Sequence, residues 1–207
     1  TPGEGEMLVK TIWLSLDPYM RGRMDDSKSY ADPVQIGERM EGGAVGEVVA
    51  SNLPGFSPGD YVTGQFGWQS HAISDGTMVQ KLNPKAAPLS TALGVLGMPG
   101  ITAYVGLNDF GRPKAGETLV VSAATGAVGS LVGQLGKAYG LHVVGVAGGA
   151  EKCKYAVDEL GFDACIDYKN ENVYKGLKKA APKGYDVYFD NVGGEILDIA
   201  LTQIRMW

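Results

Sequence analysis

The strongest structural signal in the chain lies between Glu117 and Gly140, which read ETLVVSAATGAVGSLVGQLGKAYG. The opening run, ETLVVS, is rich in β-branched and apolar residues and predicts a buried strand. After a short turn, apolar residues recur at three- and four-residue steps until Gly140, which predicts an amphipathic helix with a glycine stop. These apolar residues are Val128, Leu131, Val132, Leu135 and Tyr139. A strand, a tight turn and a helix in this order are typical of an α/β fold.

The same alternation continues toward the carboxyl terminus. Further strands are predicted over His142–Val146, Ala164–Asp167 and Asp186–Asp190. Helices are predicted over Ala150–Leu160, Glu171–Ala180 and Glu195–Ile204, with Cys153, Ala156, Val157 and Leu160 facing inward from the first of them. Alternating strands and helices predict a parallel sheet covered by helices on both faces.

The amino-terminal part has a different texture, with short strands separated by Gly, Pro, Asn and Asp. Several short strands at this spacing predict an antiparallel barrel or sandwich. The predicted strands are Met7–Leu16, Gly42–Ser51, Asp60–Gln65, Trp68–Ser74 and Met78–Leu82. Since the pattern changes between residues 88 and 100 from short strands to alternating strands and helices, we predict one domain over residues 1–93 and a second over residues 94–207.

The turn between the first α/β strand and its helix, Ala123–Gly129, is a GxGxxG pattern with alanine in the first place. A small first residue permits the tight turn, Gly126 lets the backbone approach a pyrophosphate, and Gly129 allows the helix to pack closely on the strand. A dinucleotide site is therefore predicted at the helix amino terminus, with a purely structural turn as the alternative. The residues predicted to bind cofactor in this turn are Ala124, Thr125, Gly126, Ala127, Val128 and Gly129.

The end of the second α/β strand bears on which cofactor binds. NAD sites carry Asp or Glu there to accept hydrogen bonds from the ribose 2′-hydroxyl. This chain instead has Ala147, Gly148 and Gly149, followed by Lys152. An uncharged turn removes a repulsion, and a lysine offers a charge-assisted contact to a 2′-phosphate, so the sequence favours NADPH. The alternative is that Lys152 is an ordinary solvated helix residue.

Composition excludes several classes of function. The 18 Lys and Arg against 23 Asp and Glu leave a net charge of −5, which argues against a nucleic-acid partner. With 44% hydrophobic residues the chain can form a core, and it contains no apolar run long enough to cross a membrane. The two cysteines, Cys153 and Cys165, form no disulfide framework, so we expect a cytoplasmic location.

Residue chemistry also argues against metal or nucleophilic catalysis. The first 152 residues contain no cysteine, and His71 alone cannot hold a zinc ion. We expect His71 to be an ordinary strand residue and His142 to be structural, so no metal site is predicted. No GxSxG nucleophile elbow occurs either. Any redox chemistry is therefore expected to come from a bound cofactor.

Five runs resemble the zinc-independent medium-chain dehydrogenase/reductases, and within them the prostaglandin, plant alkenal and bacterial curcumin reductases. They are LSLDPYMR at Leu14–Arg21, LGMPGITAY at Leu96–Tyr104, Ala123–Gly129, GVAGGAEKC at Gly145–Cys153 and FDNVGG at Phe189–Gly194. The resemblance implies a GroES-like β-barrel, partial here, and a carboxyl-terminally truncated Rossmann doubly wound parallel sheet. It also implies NADPH between the two and a homodimer when full length.

The resemblance further implies hydride transfer to the β-carbon of an α,β-unsaturated ketone or aldehyde, with Tyr19 as the catalytic hydrogen-bond donor. Tyr19 and Arg21 would contact the substrate, although Tyr19 could instead merely close the turn after Pro18. Met98, Thr102 and Asn191 would lie at the nicotinamide end of the cofactor. Tyr168 would join Lys152 at the 2′-phosphate, or else pack only against the adjacent helix.

Two alternatives to an enone reductase stay open. The motifs overlap with those of quinone oxidoreductases, and a nucleotide-binding fragment without catalysis would keep the same glycine turn. The family's chain continues beyond the last helix predicted here, with further strands and a second pocket tyrosine. We therefore expect the natural protein to be longer than these 207 residues.

Overall fold

The computed structural model describes residues 1–205, and it divides into two compact units, one that ends at Gly97 and one that begins at Met98. The first unit extends past residue 93 because a 3₁₀-helix, Leu89–Leu93, packs against one of its strands. Residues 206 and 207 of the predicted second domain lie outside the described range.

The first unit contains one five-stranded antiparallel sheet, which confirms its all-β character. The strands are β1 (Met7–Leu14), β2 (Ala44–Ser51), β3 (Tyr61–Gly64), β4 (His71–Ser74) and β5 (Gln80–Leu82), in the order β4-β1-β2-β3-β5. Its core is formed by Met7, Val9, Ala44, Val48, Val62, Phe66 and Ala72. A short helix, α1 (Tyr19–Arg23), lies between β1 and β2.

The second unit is a four-stranded parallel sheet with helices on both faces, as predicted. The strands β6 (Thr118–Ser122), β7 (His142–Ala147), β8 (Ala164–Asp167) and β9 (Val187–Phe189) have the order β8-β7-β6-β9. The helices are α2 (Met98–Val105), α3 (Gly129–Ala138), α4 (Ala150–Asp158), α5 (Val173–Ala180) and α6 (Gly194–Leu201). Alternate strand residues divide between two cores: Leu119 and Val121 pack on the side of α3, Val120 and Val144 on the side of α5.

Several elements differ from the sequence prediction. The strand predicted from Trp68 begins only at His71, because Gly67 adopts a φ of 72° and residues 67–69 form a turn. Helix α4 ends at Asp158, and Val157, predicted to face inward, is 38% exposed. Helix α2 and the π-helical turn Gly106–Gly111 were not predicted, because the opening Met98-Pro99-Gly100 offers no helical periodicity. These two elements are held by burial of Ala103 and Leu107.

Candidate functional site

A cleft of about 340 Å³ lies where the loops that follow the parallel strands meet. Its volume is in the range of small-molecule sites, and the carboxyl edge of an open parallel sheet is where such ligands bind. The residues that line it are Ala123, Thr125, Gly126, Val146, Ala147, Gly148, Lys152, Tyr168, Val192 and Ile196. The turn after β6, strand β7, helices α4 and α6 and the loops after β8 and β9 therefore all contribute to one site.

The glycine turn between β6 and α3 is held by its own backbone. Ala123 has a φ of 47°, and the N–H of Gly126 donates to the Ala123 carbonyl oxygen at 2.8 Å. A Cβ on Gly129 would lie 2.3 Å from that same oxygen, so only glycine fits at this position. The N–H of Ala124 donates to the Val146 carbonyl at 3.1 Å, which ties the turn to β7.

The predicted residues of this turn have different placements. Thr125 and Gly126 line the cleft, whereas Ala124 and Gly129 are buried beneath it. Ala127 and Val128 lie in the turn outside the lining. Buried Ala124 and Gly129 can shape the turn, while exposed Gly126 presents its backbone to the cleft.

Strand β7 ends in a second tight turn that carries Ala147, Gly148 and Gly149. A Cβ on Gly148 would lie 2.8 to 2.9 Å from ring atoms of Tyr168, so the tyrosine ring packs directly over this glycine. Gly149 has a φ of 105°, a conformation that L side chains rarely adopt. Helix α4 begins at the next residue, and Lys152 in its first turn lines the cleft.

Asp167 is a site residue that the sequence reasoning missed. It is the last residue of β8, pairs in register with Ala147 of β7 and is only 5% exposed. Its Oδ1 accepts hydrogen bonds from the N–H groups of Gly149 at 2.8 Å and Lys169 at 3.0 Å, and its Oδ2 accepts one from Asn170 at 2.7 Å. The bonds from Asn170 and Gly149 lower the pKa of Asp167.

The segment after β9 is tied to the end of β6. Ser122 Oγ donates to Asp190 Oδ1 at 3.0 Å and accepts from the N–H of Asn191 at 2.8 Å, and the Asn191 side chain donates to the Ser122 carbonyl at 2.9 Å. Partial burial opposes ionisation of Asp190, but bonds from Gly193 and Val192 lower its pKa. Asn191 thus anchors the segment, and its neighbour Val192 lines the cleft.

The predicted residues Met98, Thr102, Tyr19 and Arg21 are not among those that line the cleft. Met98 and Thr102 are exposed on α2. Tyr19 is half-buried at the start of α1, where burial, and then the charges of Asp17 and Glu41, raise the pKa of its hydroxyl. Arg21 is exposed and pairs with Asp25 at 2.9 Å.

The buried Arg23 holds the surroundings of Tyr19 together. Its guanidinium lies 5.8 Å from the Tyr19 ring centroid and 4.8 Å from that of Tyr30, distances at which cation–π attraction operates. Arg23 Nε donates to Glu41 Oε1 at 2.5 Å. Arg23 thus packs against one side of the Tyr19 ring, while burial keeps the pKa of the phenol above its usual value, so that it is protonated at neutral pH as a hydrogen-bond donor must be.

Both histidines have structural surroundings. His71 starts β4 beside the Ser70 hydroxyl, and His142 starts β7 with Nε2 at 3.0 Å from the Ala180 carbonyl oxygen. Among residues 1–205, no three His, Cys, Asp or Glu side chains are grouped so that they could hold a metal ion. Within the same range no helix is long and apolar enough to cross a membrane.

Sequence reasoning also missed the lining residues Ala123, Val146, Val192 and Ile196. Ala123 is the first residue of the recognised Ala123–Gly129 turn and Val146 directly precedes Ala147, so both could have been included on that ground. Val192 and Ile196 lie far along the chain, and only the pairing of β9 with β6 brings them to the cleft. The order of the strands in the sheet decides that pairing, and a local sequence pattern does not reveal strand order.

Comparison with known proteins identifies both parts of the chain. Residues 1–82 match a family model described as the N-terminal domain of oxidoreductase, and residues 127–206 match one described as zinc-binding dehydrogenase. The NADPH-dependent curcumin reductase of Escherichia coli K12 is 57% identical over 99% of this chain and 59% of its own length. Prostaglandin reductase 1 of Bos taurus is 45% identical over 98% of this chain and 60% of its own length.

A solved structure agrees with these relatives. The crystal structure of CurA in complex with NADPH from Vibrio vulnificus is 55% identical and superimposes with a TM-score of 0.94 over 99% of this chain and 60% of that one. The chain thus spans about 60% of the length of the relatives it matches. It belongs to the medium-chain dehydrogenase/reductase superfamily, in the branch of the curcumin and prostaglandin reductases.

Proposed function

We propose that this chain binds NADPH and reduces the carbon–carbon double bond of α,β-unsaturated ketones or aldehydes. The observation that carries the proposal is the cleft at the carboxyl edge of the parallel sheet, which combines a glycine turn with Lys152 and Gly148. The relatives named for NADPH-dependent reduction support the same assignment.

The residues present fit a dinucleotide phosphate. The amino terminus of α3 carries the positive end of a ten-residue helix, and the exposed backbone of Gly126 allows a diphosphate to approach it. Lys152 supplies a cation for a 2′-phosphate, while Tyr168 offers a ring face beside Gly148 for the adenosine.

When bound, NADPH supplies the hydride that the substrate's β-carbon accepts, and a proton added at the α-carbon completes the reduction. The chain's task is to hold the substrate and to stabilise the charge that develops on the carbonyl oxygen. A protonated Tyr19 donates a hydrogen bond to that oxygen, and a donor aimed at developing charge lowers the barrier. No metal ion takes part in this proposal.

Other residues take supporting roles in the proposal. Arg21 contacts the substrate beside Tyr19, and Met98 and Thr102 pack at the nicotinamide end of the cofactor. Asn191 contributes by fixing the segment after β9 through its bonds to Ser122.

The experiment is oxidation of NADPH by the purified chain with a simple enone, with NADH and acceptor-free samples alongside. We expect faster turnover with NADPH plus enone than in either control, and a saturated ketone as the product. Quinol formation without enone saturation would instead indicate a quinone oxidoreductase. Binding of NADPH by calorimetry without any turnover would indicate a nucleotide-binding protein without this activity.

Location and assembly are also proposals. Cys153 and Cys165 are both free thiols, which fits a reducing compartment such as the cytoplasm. A homodimer is proposed from the family resemblance alone, and the sedimentation coefficient of the protein in solution tests it.

A further inference from the structure

Asp167 is a buried carboxylate that does not line the cofactor cleft itself. It accepts a hydrogen bond from the backbone of the turn that borders the cleft. Its two oxygens accept three hydrogen bonds, from Gly149, Lys169 and Asn170, at 2.7 to 3.0 Å. Its own N–H donates a hydrogen bond to Glu171 Oε1 at 3.2 Å. The carboxylate is thus held by Lys169 and Asn170, which follow it in the chain, and by Gly149 from the neighbouring strand's turn.

The bond to Gly149 differs from the other two because it crosses from β8 to the turn after β7. Gly149 is the residue immediately before α4, and as a glycine it has no side chain with which to cap that helix. Its φ of 105° is not fixed by any steric preference of its own. The hydrogen bond from its N–H to Asp167 therefore helps to hold this turn in place, together with the backbone bonds from Cys153 to Gly149 and from Tyr168 to Ala147, both at 3.1 Å.

The neighbouring residue reinforces the same turn. Tyr168 follows Asp167 directly, and its ring packs over Gly148. The pair Asp167-Tyr168 thus fixes both glycines between β7 and α4, one by a hydrogen bond and the other by contact. The first turn of α4, which carries Lys152, starts from this fixed point.

We infer that Asp167 is a positioning residue for 2′-phosphate recognition: it sets the Gly148-Gly149 turn and thereby the place of Lys152. This inference rests on the proposed NADPH binding and adds to it a residue that sets the preference over NADH. The three hydrogen bonds occupy most of the acceptor positions of the Asp167 carboxylate, which leaves few for a ribose 2′-hydroxyl. The diphosphate turn at Ala123–Gly129 does not involve Asp167, so NADH binding depends less on it.

The test compares the dissociation constants of NADPH and NADH for the 207-residue chain with Asp167→Ala and Asp167→Asn, by calorimetry without substrate. We expect Asp167→Ala to weaken NADPH binding about tenfold more than NADH binding, the equivalent of losing one hydrogen bond to a charged group. Asp167→Asn keeps an oxygen that can accept from Gly149 and Lys169, so it should restore most of the preference.

Asp163→Asn is the matched control. Asp163 precedes the same strand and also accepts a backbone N–H, that of Val143 at 2.6 Å, but at the opposite end of β8. Thermal unfolding should show a loss of stability for this variant with an unchanged NADPH-to-NADH ratio. The comparison separates a general structural effect from a positioning effect at the cleft.

The possible outcomes separate the two proposals. If Asp167→Ala weakens NADPH and NADH equally, or if both Asp167 variants bind NADPH more tightly, the positioning role is wrong while NADPH binding stands. If Asp167→Ala does not fold, the same comparison is made with Asp167→Leu, which also removes both acceptor oxygens but fills their space; an unchanged NADPH-to-NADH ratio overturns the inference, and a lowered preference for NADPH supports it. If the unsubstituted chain does not bind NADPH, both proposals fail.

Discussion

Replacing Gly129 with alanine is the sharpest test of the glycine turn. A Cβ at this position would lie 2.3 Å from the Ala123 carbonyl oxygen and 3.0 Å from its carbonyl carbon. Both atoms belong to the backbone, so no side chain can rotate away to make room. The start of α3 would have to move away from the turn that it presently touches.

The size of the effect follows from this geometry. Ordinary contacts begin at 3.4 Å, so the helix and the turn must separate by about 1.1 Å. Because both clashing atoms belong to the backbone, the cost lies in the upper part of the usual range for overpacking, about 2–3 kcal/mol, and alanine's better helix propensity returns at most about 1 kcal/mol. A net loss of about 1–2 kcal/mol lowers the melting temperature by about 2–8 °C in a chain of this size.

The assay combines thermal unfolding of the cofactor-free chain with calorimetric titration of NADPH. We expect Gly129→Ala to melt earlier and to bind NADPH at least about tenfold more weakly, because the displaced helix terminus no longer meets the diphosphate. Gly22→Ala is the control, since a Cβ on this helical glycine meets nothing within 4 Å. Equal melting temperatures and equal NADPH affinity in Gly129→Ala and the unsubstituted chain would refute the close-packing argument.

Three further predictions concern single side chains. Lys152→Ala should weaken NADPH binding by about ten- to a hundredfold and leave NADH binding unchanged. The control Lys154→Ala, two residues along the same helix, should change the affinity for neither cofactor. An equal loss of affinity for both cofactors in Lys152→Ala would contradict the 2′-phosphate role. Tyr19→Phe should lower kcat for an enone by about a hundredfold at unchanged NADPH affinity, measured by steady-state kinetics, and an unaltered kcat would remove Tyr19 from the catalytic step. Burial raises the pKa of Tyr188 to about 12 from the ordinary 10.0, so its contribution to stability is complete below pH 10 and is lost as the pH rises through 12. Urea unfolding at pH 9 and pH 11 should show a smaller loss for Tyr188→Phe than for the unsubstituted chain, and an equal loss would argue against this linkage.

The sequence predicted the second unit well because its strands and helices are strongly periodic. The strand over Ala164–Asp167 has the predicted bounds, and α3 occupies Gly129–Ala138 within the predicted helix. In these elements one face is buried, so the spacing of the apolar residues along the sequence shows the strand or helix directly. The pattern fails where burial is shallow, as at exposed Val157 near the end of α4.

Helix α2 escaped prediction for a different reason. Its residues Met98–Val105 include a proline, a glycine and β-branched side chains, all poor helix formers in isolation. The helix is held by the burial of Ala103 and by packing against α3. Tertiary contacts therefore override local propensity here, and those contacts exist only once the sheet has formed.

The prediction of NADPH over NADH did not take strand register into account. The absence of an acid after β7 favoured NADPH, yet the register of β7 with β8 brings the carboxylate of Asp167 beside Ala147. A ribose 2′-hydroxyl needs a carboxylate with free lone pairs, and three of the roughly four acceptor sites on Asp167 already receive hydrogen bonds. Most of the acceptor capacity of this acid is therefore already used, which leaves little for a ribose 2′-hydroxyl. One of the three bonds, the one from Gly149, also holds the turn that precedes Lys152, so in the proposed NADPH site the same carboxylate is occupied and positions the lysine.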